Sequence, residues 1–142
     1  MTDRFLEPAY EAGRAFVMRK IPGQVLMLNL LRFRALADYA AHPGLAPADP
    51  ITGAAAYDRY MALTLPLLRQ RGGDVDFVAA GGPLLIGPEE ARWDLVLLVR
   101  HQSVESFLAF ATDQDYLAGI GHRFAALEDS RLLPLSALPV PV

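Results

Sequence analysis

Trp93-Asp94-Leu95-Val96-Leu97-Leu98-Val99-Arg100-His101 is apolar on both of its alternating faces. Side chains of a strand point to opposite sides in turn, so Leu95, Leu97 and Val99 need one cover and Val96 and Leu98 another. Polar residues stand only at its ends. The run Val25 to Phe33 repeats this character, with Asn29 in its middle and Arg32 near its end. The two runs are predicted to form the centre of a sheet.

Outward from them, Met1 to Gly23 reads as one short helix after a polar start, with Pro8 in its first turn and Pro22-Gly23 ending it. Arg34 to Pro50 is a long connection rich in alanine and proline, with room for a helical turn at Ala35 to Ala41. A connection of that length in a compact domain is often functional. Thr52 caps a helix in which Tyr57, Tyr60, Met61, Thr64, Leu65 and Leu68 recur at helical spacing; Pro66 should kink it and Gly72-Gly73 end it. Val75 to Ala80 and Leu84 to Gly87 read as one strand interrupted by Gly81-Gly82-Pro83, the mark of a bulged edge. Ser103 and Asp113 cap two further helices, the second with Leu117, Ile120, Phe124 and Leu127 on one face. Asp129 to Leu138 is the last strand, which Pro134 assigns to an edge.

The order strand, helix, strand, strand, helices, strand predicts an α+β, ferredoxin-like split βαβ fold. Its four-stranded antiparallel sheet has the first and third strands central. Helices cover only one face of such a sheet. The other face calls for a second copy of the chain, so a face-to-face homodimer is expected.

Composition narrows the function classes. At 142 residues the chain suits one domain with a proper core, and 53% hydrophobic content again points to burial between subunits. The net charge of -3, with basic residues scattered, lacks the footprint of a nucleic-acid binder. No cysteine is present, which excludes disulfides, iron-sulfur clusters and thiolate zinc sites. The three histidines have no metal-ligand spacing, and neither a dinucleotide fingerprint nor a phosphate loop occurs, so no metal and no cofactor is expected. No apolar run is long enough to span a bilayer, and Asp3, Arg4 and Glu7 do not make a signal peptide. A soluble cytoplasmic protein without membrane contact is the expectation.

Met27-Leu28-Asn29-Leu30-Leu31-Arg32-Phe33, Ala56-Tyr57-Asp58-Arg59-Tyr60, Gly72-Gly73, Arg92-Trp93-Asp94 and Gly121-His122-Arg123 through Glu128-Asp129-Ser130-Arg131 resemble the domain of unknown function 1330 family. That family is similar to dimeric alpha-beta barrel proteins. The resemblance covers roughly residues 24 to 135 and implies the same fold while assigning no activity. It divides the chain into an N-terminal helical extension at 1–23, a dimeric alpha-beta barrel domain at 24–138 and a tail at 139–142.

Chemistry concentrates at His122-Arg123, where an imidazole beside a guanidinium could move a proton and hold a carboxylate. A structural reading stands beside it: Arg123 pairing with Glu128 or Asp129, and His122 bonded to a backbone carbonyl. Asn29 needs a hydrogen-bonding task inside its apolar strand, either structural or toward a ligand in a cleft between sheet and helices. Trp93, Tyr57 and Tyr60 could line that cleft, or serve as core. Arg100-His101 reads as a solvated strand end, and His42 as part of a lid over the cleft. Among dimeric barrels, some bind haem through an asparagine, a tryptophan and a histidine, which makes Asn29, Trp93 and His122 a minor option for this chain. The leading reading is a small-molecule-binding protein or cofactor-independent enzyme, with Arg123 holding an anionic group, His122 exchanging a proton and Asn29 orienting a carbonyl. Its rival is a dimeric structural or interaction module without catalysis.

Overall fold

The computed structural model describes residues 4–141; the first three residues of the 1–23 extension and the last of the 139–142 tail lie outside the described residues. Four strands, β1 (Val25–Phe33), β2 (Asp74–Pro83), β3 (Arg92–His101) and β4 (Leu127–Leu135), form one antiparallel sheet in the order β2-β3-β1-β4. The helices are α1 (Tyr10–Met18), α2 (Gly53–Gln70), α3 (Val104–Ala111), α4 (Gln114–Gly119) and α5 (Gly121–Ala126). This is the α+β ferredoxin-like arrangement, with β1 and β3 central as their doubly apolar sequences require.

The register fixes two faces. Val78, Leu97, Asn29 and Leu132 stand in one row across the sheet, and beside them Leu31 and Leu97 enter a core with Tyr57 and Tyr60 of α2 and Ala125 and Ala126 of α5. Phe77, Leu98, Leu28 and Leu133 form a row on the opposite face, where Phe77 and Leu133 are 54% and 53% exposed. Among the described residues no helix covers that second face.

Local chemistry sets the boundaries. Thr52 caps α2 by accepting the Ala55 amide on Oγ1, the helix continues through Pro66, and Gly72 at φ +78° ends it in the left-handed conformation that glycine tolerates. Ser103 and Asp113 cap α3 and α4 as expected.

Four expectations are corrected. Ala35 to Ala41 carries no helical turn; the turn is a 3-10 segment at Pro43–Leu45, where proline fixes the first position. β2 runs unbroken through Gly81 and Gly82 because an edge strand pairs on one side only, and its register shift lies between Val75 and Phe77. Leu84 to Gly87 belongs to the turn instead of the strand. The helix expected after Asp113 is broken at Ile120, since Gly119 and Gly121 on either side weaken it, and Leu127 leaves the helix to open β4 opposite Phe33.

The segment before α1 is tied to the edge of β4. Arg4 donates to the Glu128 carbonyl and the Phe5 amide to Asp129, while Ser130 Oγ donates to the Phe5 carbonyl and Arg123 to that of Leu6. One of these bonds takes a backbone group of β4, the Glu128 carbonyl, and the others are made through side chains.

Candidate functional site

His122 is 6% exposed, and its Nδ1 shares a hydrogen bond of 2.8 Å with the Tyr39 hydroxyl. Tyr39 comes from the 34–50 connection, whose backbone is fixed by Asp38 N to Ala125 O and Ala37 N to Ile51 O. Burial, and then the positive charge of Arg59, hold the imidazole below its ordinary pKa. The backbone-carbonyl partner considered for His122 is replaced by a phenol.

Arg123 points between sheet and helices. It donates to the Leu6 carbonyl and to Ser130 Oγ, and it pairs with neither Glu128 nor Asp129. Asp129 is taken by Arg32 at 3.0 Å and Arg131 at 2.7 Å. Burial favours the protonated Asp129, but the Phe5 amide, Arg131 and the Ser130 amide together hold its carboxyl below the usual range.

Tyr57 and Tyr60 lie with ring centroids 5.2 Å apart, and Tyr60 and Tyr116 share a hydrogen bond of 2.8 Å. Burial raises both phenol pKa values, with the Arg123 charge working against it. Asn29 faces the same side of the sheet and donates to the Met27 carbonyl at 3.1 Å.

Trp93 stands elsewhere. Its indole meets the guanidinium of Arg32 at 5.5 Å and of Arg131 at 5.1 Å, and Arg131 also lies 4.7 Å over Phe5. Tyr57 and Tyr60 are therefore brought together on α2 with Arg123 on the neighbouring α5, whereas Asn29, Trp93 and His122, the group weighed for haem, are spread over three clusters. The solvated reading of Arg100-His101 is corrected for its histidine. His101 is 3% exposed between Phe107 and Phe110, while Arg100 pairs with Asp76 at 3.1 Å.

Sequence reasoning missed Tyr39 and Arg34. The signal for Tyr39 was a lone large aromatic in an alanine- and proline-rich connection, which is costly to leave in water. Arg34 gave none, since a cation just past a strand end is ordinarily solvated. His42, assigned to a lid, stacks on Phe124 at 5.8 Å and 11° in the wall of a surface cleft of about 400 Å³. Among the described residues no group of three or more His, Cys, Asp or Glu side chains could hold a metal ion, and no helix is long and apolar enough to cross a membrane.

The chain is similar to RPA0582, a protein of unknown function from Rhodopseudomonas palustris. The two are 33% identical with a TM-score of 0.84, over 97% of this chain and 100% of that one. A crystal structure of the methylated RPA0582 protein matches at 33% identity and a TM-score of 0.85, over 96% of each chain. A dimeric ferredoxin-like protein of unknown function from Thermobifida fusca is similar at 13% identity and a TM-score of 0.49, over 81% of this chain and 92% of that one. No family model matches the sequence, and no curated protein does.

Proposed function

This chain belongs to the family of the RPA0582 protein, whose function is unknown, and we propose that it is a homodimeric small-molecule-binding protein, or cofactor-independent enzyme, for a small anionic or carbonyl compound. One observation carries the reading. Arg123 is a half-buried guanidinium on α5, the helix packed against the α2 that carries Tyr57 and Tyr60, and among the described residues no carboxylate lies in ion-pair range of it. Leu6 and Ser130 use only part of its donor capacity. A cation removed from water without a counter-charge is compensated by an incoming anion.

In this proposal Arg123 holds the anionic group and Tyr57 and Tyr60 flank it. Asn29, with one amide proton on Met27, offers the other to a carbonyl. His122, neutral at physiological pH, takes a proton. Trp93 supports the arginines of the neighbouring cluster. Kinship with the domain of unknown function 1330 family is part of the same proposal, supported by the motifs from Met27 to Arg131. The second reading, a dimeric interaction module without catalysis, is favoured by the uncovered apolar sheet face.

Pyruvate, which joins a carboxylate to a carbonyl, discriminates between them. Under the binding reading, millimolar pyruvate raises the melting temperature and Arg123→Gln removes the rise while Arg123→Lys keeps part of it. No rise in the unmodified protein, or an equal rise in Arg123→Gln, leaves the non-catalytic module as the better account.

A further inference from the structure

The same connection that buries Tyr39 lines the cleft of about 400 Å³, together with Leu6, Glu7 and Phe124. That volume lies within the range of small-ligand sites. Its floor is Arg34. The backbone of Arg34 is clamped, its amide donating to Ala126 O at 2.9 Å and its carbonyl accepting from Gly53 N at 3.1 Å, so the side chain leaves from a fixed point between β1, α2 and α5. Its Nε is buried without a hydrogen-bond partner. Among the described residues the guanidinium has no carboxylate in ion-pair range and no side-chain hydrogen bond, in contrast to Arg32, which at least reaches Asp129 through its other nitrogen.

A buried cationic donor left unmade costs stability, more than a neutral one does. Nε itself is closed to solvent, and the cleft that Arg34 lines gives room for an acceptor at the rest of the guanidinium. We infer that the Arg34 cleft is a binding site for a small monocarboxylate with an apolar body, a site separate from Arg123 and independent of the function proposed there. A carboxylate accepts from the two terminal nitrogens of a guanidinium together, a bidentate geometry for which arginine is suited.

The walls select the rest of the ligand. Leu6 and Phe124 present apolar surface with Ala40 and Ala41 between them, and His42, stacked on Phe124, extends it. Glu7 and Asp38 bring two negative charges to the lining against the single positive charge of Arg34. These two repel every negative charge a ligand brings, so a phosphate dianion or a dicarboxylate is disfavoured against a single carboxylate. The walls are also held in place. Arg123 and Ser130 fasten the Phe5-Leu6 backbone, and Asp38 is fixed by accepting the Ala40 amide at 3.0 Å.

The test is calorimetric titration of the full chain with phenylacetate and with inorganic phosphate. Phenylacetate binds, phosphate does not, and Arg34→Gln weakens phenylacetate by at least roughly tenfold, the loss of one charge-assisted hydrogen bond. Because Arg34 sits at a junction, Ala41→Trp is the second variant: it leaves the guanidinium in place, fills the cleft and also removes phenylacetate binding. Ala41→Trp keeps the rise in melting temperature with pyruvate, which separates this site from the one at Arg123. Undiminished phenylacetate binding in both Arg34→Gln and Ala41→Trp, phosphate binding at equal strength, or no phenylacetate binding in the unmodified protein overturns the assignment.

Discussion

His101 shows how a single titratable side chain shapes the stability of this protein. It ends β3 beneath α3, its ring edge-on to Phe107 at a centroid distance of 5.0 Å and 5.5 Å from Phe110. Burial there lowers its pKa from 6.5 to about 4, because the aromatic pocket accepts the neutral ring and not the imidazolium. The unfolded chain therefore binds a proton that the folded chain refuses. Stability is full above pH 6.5 and declines as pH falls toward 4. Between pH 7 and 4.5 the loss assignable to this group is roughly 2 kcal/mol. Urea unfolding of the unmodified protein and of His101→Phe across that interval measures it. The variant should lack this part of the decline while keeping the acid loss of buried Asp129, which begins as pH falls into the ordinary carboxylate range and continues below it. Parallel curves for the two proteins would show that His101 is protonated inside the fold. The sequence placed this histidine at a solvated strand end because nothing in the strand itself announces the two phenylalanines that α3 brings over it.

Among the elements, α2 depends on a contact that its sequence barely declares. Gly53, its first residue, packs so tightly that an added Cβ would meet Arg34 O at 2.3 Å and Ala126 O at 2.6 Å. Both obstacles are backbone, one at the end of β1 and one at the end of α5, so neither can turn aside. Gly53→Ala is expected to cost about 2–3 kcal/mol, the range for overpacking a site that cannot relax; a shift of the urea midpoint without a change of slope reads it. A midpoint within experimental error of the unmodified protein would mean that this three-way junction is loose. The strands and long helices were legible because their periodicity is carried over many residues: β1 and β3 by unbroken apolar runs, α2 by its recurring tyrosines and leucines and the Thr52 cap. Short elements were not. Leu127 satisfies both a helical face and a strand start, and only its pairing opposite Phe33 decides between them. The candidate site was legible in part for the same reason. His122, Arg123, Tyr57 and Tyr60 stand on two packed helices, whereas Tyr39 and Arg34 act from a connection whose path no local pattern specifies.

At the scale of the molecule, the uncovered sheet face decides the assembly. Its central row, Phe77, Leu98, Leu28 and Leu133, crosses all four strands, and Val96 and Leu30 continue it alongside. Contiguous apolar surface of this extent is rare on monomers. A stable interface needs about 800 Å² from each partner, and a two-fold axis through the row would set leucines of one copy against those of the other. The charges on this face are already satisfied within the chain, Arg100 by Asp76 and Arg32 and Arg131 by Asp129, so a second copy meets no unpaired ion. Sedimentation equilibrium at micromolar concentration should therefore give twice the chain mass of 15.5 kDa. Leu98→Glu places a carboxylate at the middle of the row and, by the symmetry, buries two of them together; that variant should sediment as one chain. Leu36→Glu, at an exposed apolar residue of the 34–50 connection on no strand of the sheet, should leave the mass doubled. A single-chain mass for the unmodified protein would remove the dimer. A doubled mass that survives Leu98→Glu would move the interface to another surface, the exposed Tyr10, Val17 and Met18 of α1 being the next apolar patch to test.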